Sequence, residues 1–425
     1  MRSCPRIVMK ILWASPNLLH PTTKGGQIRT LEMLRILRQR HEIHYVTFTD
    51  GQASDPDTAE GLKRSEEYCS HLYTLPRQLV SKRSPRFALQ LAAGVMSDLP
   101  IAISRYDSSA MRTKIGGMLA NGRFDRAVCD FLVSSRYFPD LNRCLFFPHN
   151  VETLIWRRHA ETASDALRRW YFRGQAAKMF GYEQSVARQA GHIVAVSEKE
   201  AGLFCTMFGA SRASSVDTGV NLDYFTPPAL LPDIPRFDLV FIGSMDYLPN
   251  IDGVSWFLRD ILPLIRRARP EVSVAIAGRG PSEEIRALAA AANVTVTGTV
   301  PDIRPYLWGS RLSIVPLRIG GGTRLKVYEA MGARSPIVST TIGAEGLAIH
   351  PPGDIRLADT AETFSAQVTE LLDQPETRNR IADAAWRMVN QRFTWEAVTE
   401  GFERILEEAP SEQELSAHSA SIHSI

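Results

Sequence analysis

The segment GGGTRLKVYEAMG, residues 320–332, contains residue types that can bind a phosphorylated ligand. Three consecutive glycines allow a ligand to approach the backbone closely. A helix is predicted directly after them, and its first backbone N–H groups and its dipole favour an anion. Arg324 and Lys326 lie in the first turn of this helix, where two cations are unfavourable unless an anion offsets them. The spacing therefore predicts a phosphate-binding site.

Glu329 lies deeper in the same helix and has the wrong charge for phosphate. A carboxylate can accept two hydrogen bonds from a vicinal diol, such as the 2′ and 3′ hydroxyls of ribose. A diphosphate site followed by a diol acceptor predicts a bound nucleotide. The alternative is a tight turn in which Glu329 pairs with Lys326 or with an exposed arginine, because glycine-rich loops are common.

The elements around this segment follow an α/β pattern. Near-continuous apolar runs are typical of strands buried on both faces of a parallel sheet, and they include RIVMKILWAS and HIVAVS before residue 200 and FDLVFIGSM and RLSIVPL after residue 236. Helical patterns alternate with them, at 28–40, 251–268 and 282–292. The alternation predicts doubly wound α/β architecture, in which ligands bind beyond the carboxyl ends of the strands.

The pattern starts twice, and the restart lies at the proline-rich segment 226–237. We therefore predict a first domain over residues 1–228 and a second over 236–393. A last helix over 394–408 is expected to return to the first domain. Residues 409–425 are polar and serine-rich, and we predict that they are disordered.

Composition and charge limit the class of protein. Apolar residues make up 44% of the 425 residues, which is enough for two sizeable cores. We find no signal peptide and no run of apolar residues long enough to span a membrane. Five widely spaced cysteines fit reduced thiols, so we expect a cytoplasmic protein. The basic excess lies in the first 235 residues, whereas the remainder is mildly acidic.

Several motifs occur in a fixed order along nearly the whole chain. They are GGQIRTLEMLRIL (25–37), HNVE (149–152), VSEKEAGLF (196–204), DTGVNLDYFTP (217–227), GSMDYLPNIDGVSWF (243–257) and PLRIGGGTRLKVYEAMGARSPIVSTTIGAEGL (316–347). In this order they resemble the retaining, nucleotide-sugar-dependent glycosyltransferases of family four. Their nearest look-alikes are sugar transferases associated with exopolysaccharide assembly. The resemblance implies the GT-B fold, which consists of two Rossmann-like doubly wound domains facing across a cleft.

The resemblance implies transfer of a hexosyl-type sugar from a nucleotide-diphosphate sugar to an acceptor hydroxyl, with retention of anomeric configuration. It implies no metal and no cofactor beyond the nucleotide sugar as co-substrate. The partners are then a glycan or lipid-linked acceptor in cell-surface or exopolysaccharide assembly. Two alternatives remain open: a nucleotide-sugar epimerase of the same GT-B fold, and a non-catalytic glycan-binding protein.

The same resemblance assigns site residues. Glu329 matches the second glutamate of the family's paired-glutamate motif, which binds the donor ribose, whereas Gly321 stands where the first glutamate is expected. The family often supplies an arginine and a lysine from the loop after the first strand of the second domain. The loop 243–250 here contains neither, so Arg324 and Lys326 are predicted to replace them. Contacts of the donor with backbone are expected at four further positions, namely Gly243, Gly320, Gly322 and Thr323.

Two positions in the first domain are also implicated. His149 ends an apolar strand, and a histidine at this place in the family touches the transferred hexose; the alternative is a structural cap for the strand end. Gly25 and Gly26 follow the first strand and start a helix, so their N–H groups are candidates for contact with donor phosphate or acceptor. The alternative there is an ordinary loop.

Basic and aromatic residues interleave in the segment 156–178. Such a mixture suits the acidic inner face of a membrane, so we predict peripheral association or acceptor binding through Arg157, Arg158, Arg168, Arg169 and Trp170. The alternative is a solvated helix face. No nucleic-acid motif accompanies the segment, and we predict no nucleic-acid partner. The motifs DPD (55–57) and GRGPSEE (278–284) are too weak to predict a metal or dinucleotide site.

Overall fold

A computed structural model describes residues 8–408, except 23–24, 52–54, 79, 81–83, 164, 231–233, 235 and 320–323. The chain divides into two compact units: the first extends to Asp217 and resumes at Val398, and the second is Thr218–Ala397. The change of unit therefore lies before the proline-rich segment 226–237. The physical reason is that Val220 already pairs with Thr394 and donates a backbone hydrogen bond to the carbonyl of Phe393. The predicted disordered tail, 409–425, lies outside the described residues.

The first unit contains a parallel sheet in the order β3-β2-β1-β4-β5-β6-β7. Its strands are β1 (Lys10–Ala14), β2 (Glu42–Thr49), β3 (His71–Pro76), β4 (Arg126–Asp130), β5 (Leu145–Phe147), β6 (His192–Ala195) and β7 (Ala213–Ser215). The central strands are buried on both faces, which explains their continuous apolar sequence.

Helices connect these strands. They are α1 (Gly25–Leu37), α2 (Pro56–Lys63), α3 (Pro85–Met96), α4 (Ile101–Ser104), α5 (Ser109–Asn121), α6 (Glu152–Thr162), α7 (Ala166–Gln189) and α8 (Glu198–Thr206). Side-chain caps start several of them: the carboxylate of Asp165, for example, accepts a hydrogen bond from the N–H of Arg168 at the start of α7. Short 3₁₀ turns lie at Arg64–Glu67 and Leu132–Tyr137.

The second unit contains a parallel sheet in the order β10-β9-β8-β11-β12-β13. Its strands are β8 (Phe237–Ile242), β9 (Val274–Ala277), β10 (Thr295–Gly298), β11 (Ser310–Val315), β12 (Ile337–Ser339) and β13 (Arg356–Leu357). Its helices are α9 (Leu222–Phe225), α10 (Leu248–Trp256), α11 (Leu262–Ala268), α12 (Glu283–Ala291), α13 (Arg304–Gly309), α14 (Leu325–Gly332), α15 (Ala361–Asp373) and α16 (Pro375–Arg392). A π-helical turn, Phe257–Ile261, joins α10 to α11.

The last described helix, α17 (Trp395–Glu408), begins in the second unit and continues into the first. Apolar side chains recur along it at helical spacing, and Phe402 packs against Trp13 with ring centroids 5.6 Å apart. Glu403 accepts from His41 at 3.1 Å, with the imidazole donating. These contacts explain why the residues from Val398 onward belong to the first unit.

Each sheet has one point at which the strand order reverses. In the first sheet it lies between β1 and β4, and in the second between β8 and β11. In open parallel sheets, ligands bind beyond the carboxyl ends of the strands at such a reversal. The doubly wound α/β architecture predicted from the sequence is confirmed, and the reversal point is the place in each unit where this architecture binds ligands.

Within the described ranges, no helix combines the length and the apolar character needed to cross a bilayer.

Candidate functional site

The loop after β8 begins with Gly243, which lies at the reversal point of the second sheet. A Cβ atom on this glycine would lie 2.9 Å from Nζ of Lys326 and 2.9 Å from Nδ2 of Asn250. Glycine at 243 thus leaves room for both side chains. The neighbouring loop is equally tight, since a Cβ on Gly278 would lie 1.9 Å from the carbonyl oxygen of Gly243.

Lys326 is the second residue of α14, and its ammonium group reaches the end of β8. Nζ donates a hydrogen bond to Oδ1 of Asn250 at 2.7 Å and lies 4.6 Å from the ring centre of Phe241. The other amide atom of Asn250, Nδ2, donates to the carbonyl of Ser244 at 2.7 Å. This second bond orients the buried amide, so its oxygen points at the lysine.

Burial is the main cause that lowers the pKa of Lys326, to about 7, and the nearby cation of Arg324 acts in the same direction. Glu329 opposes the change. A lysine with this pKa titrates near neutral pH, and a nearby anion stabilises its protonated form. The arrangement can therefore bind a phosphate group with uptake of a proton.

Glu329 lies one turn after Lys326 on α14 and is half-buried. Burial raises the pKa of its carboxyl to about 7, while the Lys326 cation acts in the opposite direction. In the described part of the chain this carboxyl accepts no hydrogen bond. When ionised, this carboxyl can therefore accept hydrogen bonds from the hydroxyl groups of a ligand.

Arg324 differs from its predicted place, because α14 begins at Leu325 and Arg324 precedes the helix. Its backbone is left-handed, with φ of 44° and ψ of 30°. Its buried guanidinium lies 3.7 Å from the carboxylate of Glu345, which offsets the charge. Arg324 is thus near Lys326 but already has an acidic neighbour.

The predicted donor contacts at Gly320, Gly321, Gly322 and Thr323 lie outside the described residues.

Arg279 is a cation near this loop that sequence reasoning missed. It follows β9, and its Nε donates to Oγ of Ser244 at 2.9 Å while Nη2 lies 3.3 Å from the carboxylate of Asp246. The sequence predicts Arg324 and Lys326 as replacements for the basic residues that the loop 243–250 lacks. The missed signal is that Arg279 lies two residues after the end of β9, the strand next to β8, at the same carboxyl edge.

In the first unit, His149 belongs to a buried polar cluster at the reversal point between β1 and β4. Its Nε2 lies 2.7 Å from Oδ1 of Asp130, the last residue of β4. The other carboxylate oxygen of Asp130 accepts from Thr30 at 3.1 Å and from the indole of Trp13 at 3.2 Å. Sequence reasoning did not single out Asp130, although it ends an apolar strand at the edge where ligands bind.

His149 itself is only 3% exposed. Burial lowers its pKa, although Asp130 acts in the opposite direction. Its Nδ1 atom is buried and has no hydrogen-bond partner among the residues that the structure describes. The hydrogen bond between Nε2 and Asp130 fixes the imidazole ring. Nδ1 is therefore the ring nitrogen that can form a hydrogen bond with a ligand.

Gly26 lies directly against this histidine. A Cβ on Gly26 would lie 2.9 Å from the ring of Phe131 and 3.2 Å from Cγ of His149. Gly25 begins α1, as predicted for the helix after the first strand. Phe131 has a positive φ of 64° and its ring centre is 4.1 Å from that of His149. The two predicted features, Gly25–Gly26 and His149, therefore lie together in the first unit.

The predicted basic surface lies on α6 and α7. Arg157 packs over the ring of Phe180, and Arg168 pairs with Asp165 at 3.3 Å. Arg169 donates to the carbonyl of Ala163 at 3.2 Å. Arg158 lies on α6, and Trp170 on α7 is 59% exposed. An open depression of about 780 Å³ is lined by Arg157, Arg169 and Arg173.

Comparison with known proteins identifies a known domain within the second unit. Residues 236–374 match the family model described as glycosyl transferases group 1. The chain is 19% identical over 397 residues to an uncharacterised 44.6 kDa protein in the cps region of Klebsiella pneumoniae, covering 90% of this chain and 96% of that one. It is 25% identical over 246 residues to the MMP α-(1→4)-mannosyltransferase of Mycolicibacterium hassiacum, covering 55% of this chain and 58% of the relative.

Among solved structures, Anabaena Alr3699/HepE in complex with UDP and glucose is similar, with a TM-score of 0.65 at 13% identity over 94% of this chain and 99% of that one. At this identity the likeness concerns the fold. The match to the family model covers much of the second unit, which contains Gly243, Lys326 and Glu329. Residues 236–374 therefore form a glycosyl transferase group 1 domain, and the two Rossmann-like units have the fold of GT-B proteins.

Proposed function

We propose that this chain transfers a hexosyl group from a nucleotide-diphosphate sugar to an acceptor hydroxyl, with retention of the anomeric configuration. One observation carries the donor assignment: the ammonium of Lys326 lies against Gly243 and Asn250, and Glu329 follows one turn later on the same helix. A cation and then a carboxylate along one helix suit a diphosphate followed by a ribose. UDP bound in the similar Anabaena structure supports this proposal.

The proposed reaction depends on stabilisation of the negative charge on the leaving diphosphate. As the bond between the sugar carbon and the phosphate oxygen breaks, negative charge grows on the diphosphate. Lys326 and the first N–H groups of α14 stabilise that charge more strongly than they stabilise the bound donor. The acceptor oxygen forms its bond to the same sugar carbon from the same face, and its proton passes to the leaving phosphate oxygen. No metal ion is needed in this scheme.

For His149 we propose contact with the transferred sugar. Its firm hydrogen bond to Asp130 fixes the ring, and Nδ1 then offers one polar atom to a hydroxyl. Gly26 and its neighbour Gly25 provide close backbone approach beside the ring. These features favour a binding role over a simple cap for the strand end.

We further propose a glycan or lipid-linked acceptor in polysaccharide assembly. The relative from the cps region of K. pneumoniae supports a role in polysaccharide assembly. The mannosyltransferase relative supports a hexose as the transferred group. The first unit also exposes apolar side chains beside basic ones. Leu89 and Met96 on α3 are 70% and 87% exposed, and Leu167 on α7 is 75% exposed. Such surfaces suit peripheral contact with an acidic membrane.

The test is an acceptor-dependent turnover assay with a panel of UDP-sugars and GDP-sugars. We expect nucleoside diphosphate to be released only when a glycan or lipid-linked acceptor is present, and NMR of the product to show the donor's anomeric configuration. Conversion of the donor to a different nucleotide sugar without acceptor would instead establish an epimerase. Binding of glycans without any turnover of the panel would point to a non-catalytic protein.

A further inference from the structure

Two histidines and a glutamate lie on one face of the first sheet, away from the reversal point of that sheet. His44 on β2 is the direct cross-strand partner of His71, the first residue of β3. Glu42 precedes His44 by two residues, and residues two apart on a strand share a face. The sheet therefore brings the three side chains together at the amino ends of β2 and β3.

The distances between these side chains are short. Oε1 of Glu42 lies 2.7 Å from Nε2 of His44 and 3.3 Å from Nε2 of His71. One ligand atom from each of the three residues lies within 4.8 Å of the other two. A tetrahedral zinc ion with bonds of about 2 Å separates its ligands by roughly 3.3 Å, so small side-chain movements suffice to surround an ion.

A second residue orients the buried histidine. Nδ1 of His44 lies 3.2 Å from the hydroxyl of Tyr73, which follows two residues after His71 on β3. A hydrogen bond at Nδ1 fixes the ring so that Nε2 faces Glu42 and His71. Metal-binding histidines are commonly held in this way by a partner on the other ring nitrogen.

The surroundings leave room to complete a coordination shell. A cavity of about 540 Å³ is lined by His44, Tyr73, Lys10 and Lys114 among others. Glu42 and His71 are themselves about half exposed, so an ion can reach them from solvent. The two lysines repel a divalent cation electrostatically. They favour an anion, such as hydroxide, as the fourth ligand of that cation.

We propose that Glu42, His44 and His71 bind one divalent transition-metal ion, with Zn²⁺ as the best fit to two imidazoles and one carboxylate. The ion joins the edge strand β3 to β2. The site is independent of the proposed sugar transfer, because it lies at the opposite ends of the strands from His149 and Asp130.

The test is zinc binding to the untagged full chain, first stripped with a chelator. Isothermal titration calorimetry with Zn²⁺ is expected to give one ion per chain. We expect His71→Ala and Glu42→Gln each to weaken binding at least tenfold, and Tyr73→Phe to weaken it by about tenfold through loss of the oriented ring. His71 is exposed at the sheet edge, so circular dichroism of the metal-free variant should match the metal-free parent.

His350→Ala is the matched control, since His350 is exposed and lies next to Asp354 in the second unit. Its affinity for Zn²⁺ should equal that of the parent. Failure of the parent to bind Zn²⁺ at a one-to-one ratio would overturn the proposal. So would a His71→Ala variant that binds as tightly as the parent, or a loss of affinity of equal size in His350→Ala.

Discussion

The ammonium group of Lys326 donates a hydrogen bond to Oδ1 of Asn250 at 2.7 Å, although the two residues lie 76 positions apart. This contact brings the start of α14 to the loop after β8, at the point where the strand order of the second sheet reverses. It is the structural basis for the proposed diphosphate site.

Lys326→Ala should lower turnover more than it lowers donor affinity, because diphosphate charge grows toward the transition state. We expect kcat to fall by about 10²- to 10³-fold, as for loss of one preorganised charge-stabilising group. Steady-state kinetics with the identified donor provide the measurement. Lys63→Ala, on the exposed face of α2, serves as control and should leave kcat unchanged. A rise in KM alone, with kcat intact, would argue against this role.

Glu329→Ala should weaken binding of the nucleoside diphosphate by about 2 to 4 kcal/mol, because two charge-assisted hydrogen bonds to ribose are lost. Inorganic pyrophosphate lacks ribose, so its affinity should not fall. Calorimetry with both ligands separates the two contributions. The control is Glu283→Ala at the exposed start of α12. An equal loss for pyrophosphate would contradict the ribose assignment.

The affinity for nucleoside diphosphate should be greatest near pH 7. In the free protein the pKa of Lys326 is lowered to about 7, so above this pH binding must take up a proton and affinity falls by up to about tenfold per pH unit. The pKa of Glu329 is raised to about 7, so below this pH the carboxyl must lose a proton to accept hydrogen bonds from ribose. Affinity then falls on the acid side as well.

Two conservative variants assign the limbs of this profile. Lys326→Arg keeps its charge at high pH and should flatten the alkaline limb. Glu329→Gln has no proton to lose, so its acid limb should be flatter than that of the parent. Comparison of the variant with the parent also corrects for protonation of the ligand itself, which is the same for both proteins. Unchanged limbs in both variants would show that other groups control the pH dependence.

His149→Ala should reduce sugar transfer much more than binding of the bare nucleoside diphosphate, which has no hexose to contact. The measurement compares turnover with calorimetric affinity in the same preparation. Because His149 is buried beside Asp130, the free energy of unfolding of the variant should be measured as well. Losses of equal size in both binding and turnover, together with lowered stability, would indicate a structural histidine.

Trp170→Ser should weaken binding to vesicles that contain acidic lipid. The indole is 59% exposed and is followed along α7 by basic residues. Removal of Arg168 should cost about 1 kcal/mol at low salt, and both effects should shrink as salt rises. Co-sedimentation with acidic and with neutral vesicles provides the measurement. Equal recovery in the supernatant for the two vesicle types would favour a soluble acceptor.

Much of the fold could be predicted from the sequence, because buried parallel strands have continuous apolar runs. The strands β8 and β11, which meet at the reversal point of the second sheet, were predicted in this way, and so was α14. The start of α14 was less predictable: Arg324 adopts a left-handed backbone and precedes the helix, which residue types alone do not reveal.

The candidate site shows the same contrast. Lys326 and Glu329 were predicted because their spacing on one helix is local information. Asn250, Arg279 and Asp130 were missed because their roles depend on neighbours in the sheet that are distant in sequence. The cross-strand pair His44 and His71 was missed for the same reason, since its register is set by the pairing of β2 with β3.

Hydrogen–deuterium exchange with and without saturating UDP or GDP tests the central claim most directly. The proposed site predicts slower exchange on binding in peptides that cover 243–250 and 324–332, with no comparable change in peptides from β2 and β3. The effect should be lost in Glu329→Ala at the same ligand concentration. Protection confined to other parts of the chain, or identical protection in Glu329→Ala, would contradict a nucleotide site formed by Lys326 and Glu329.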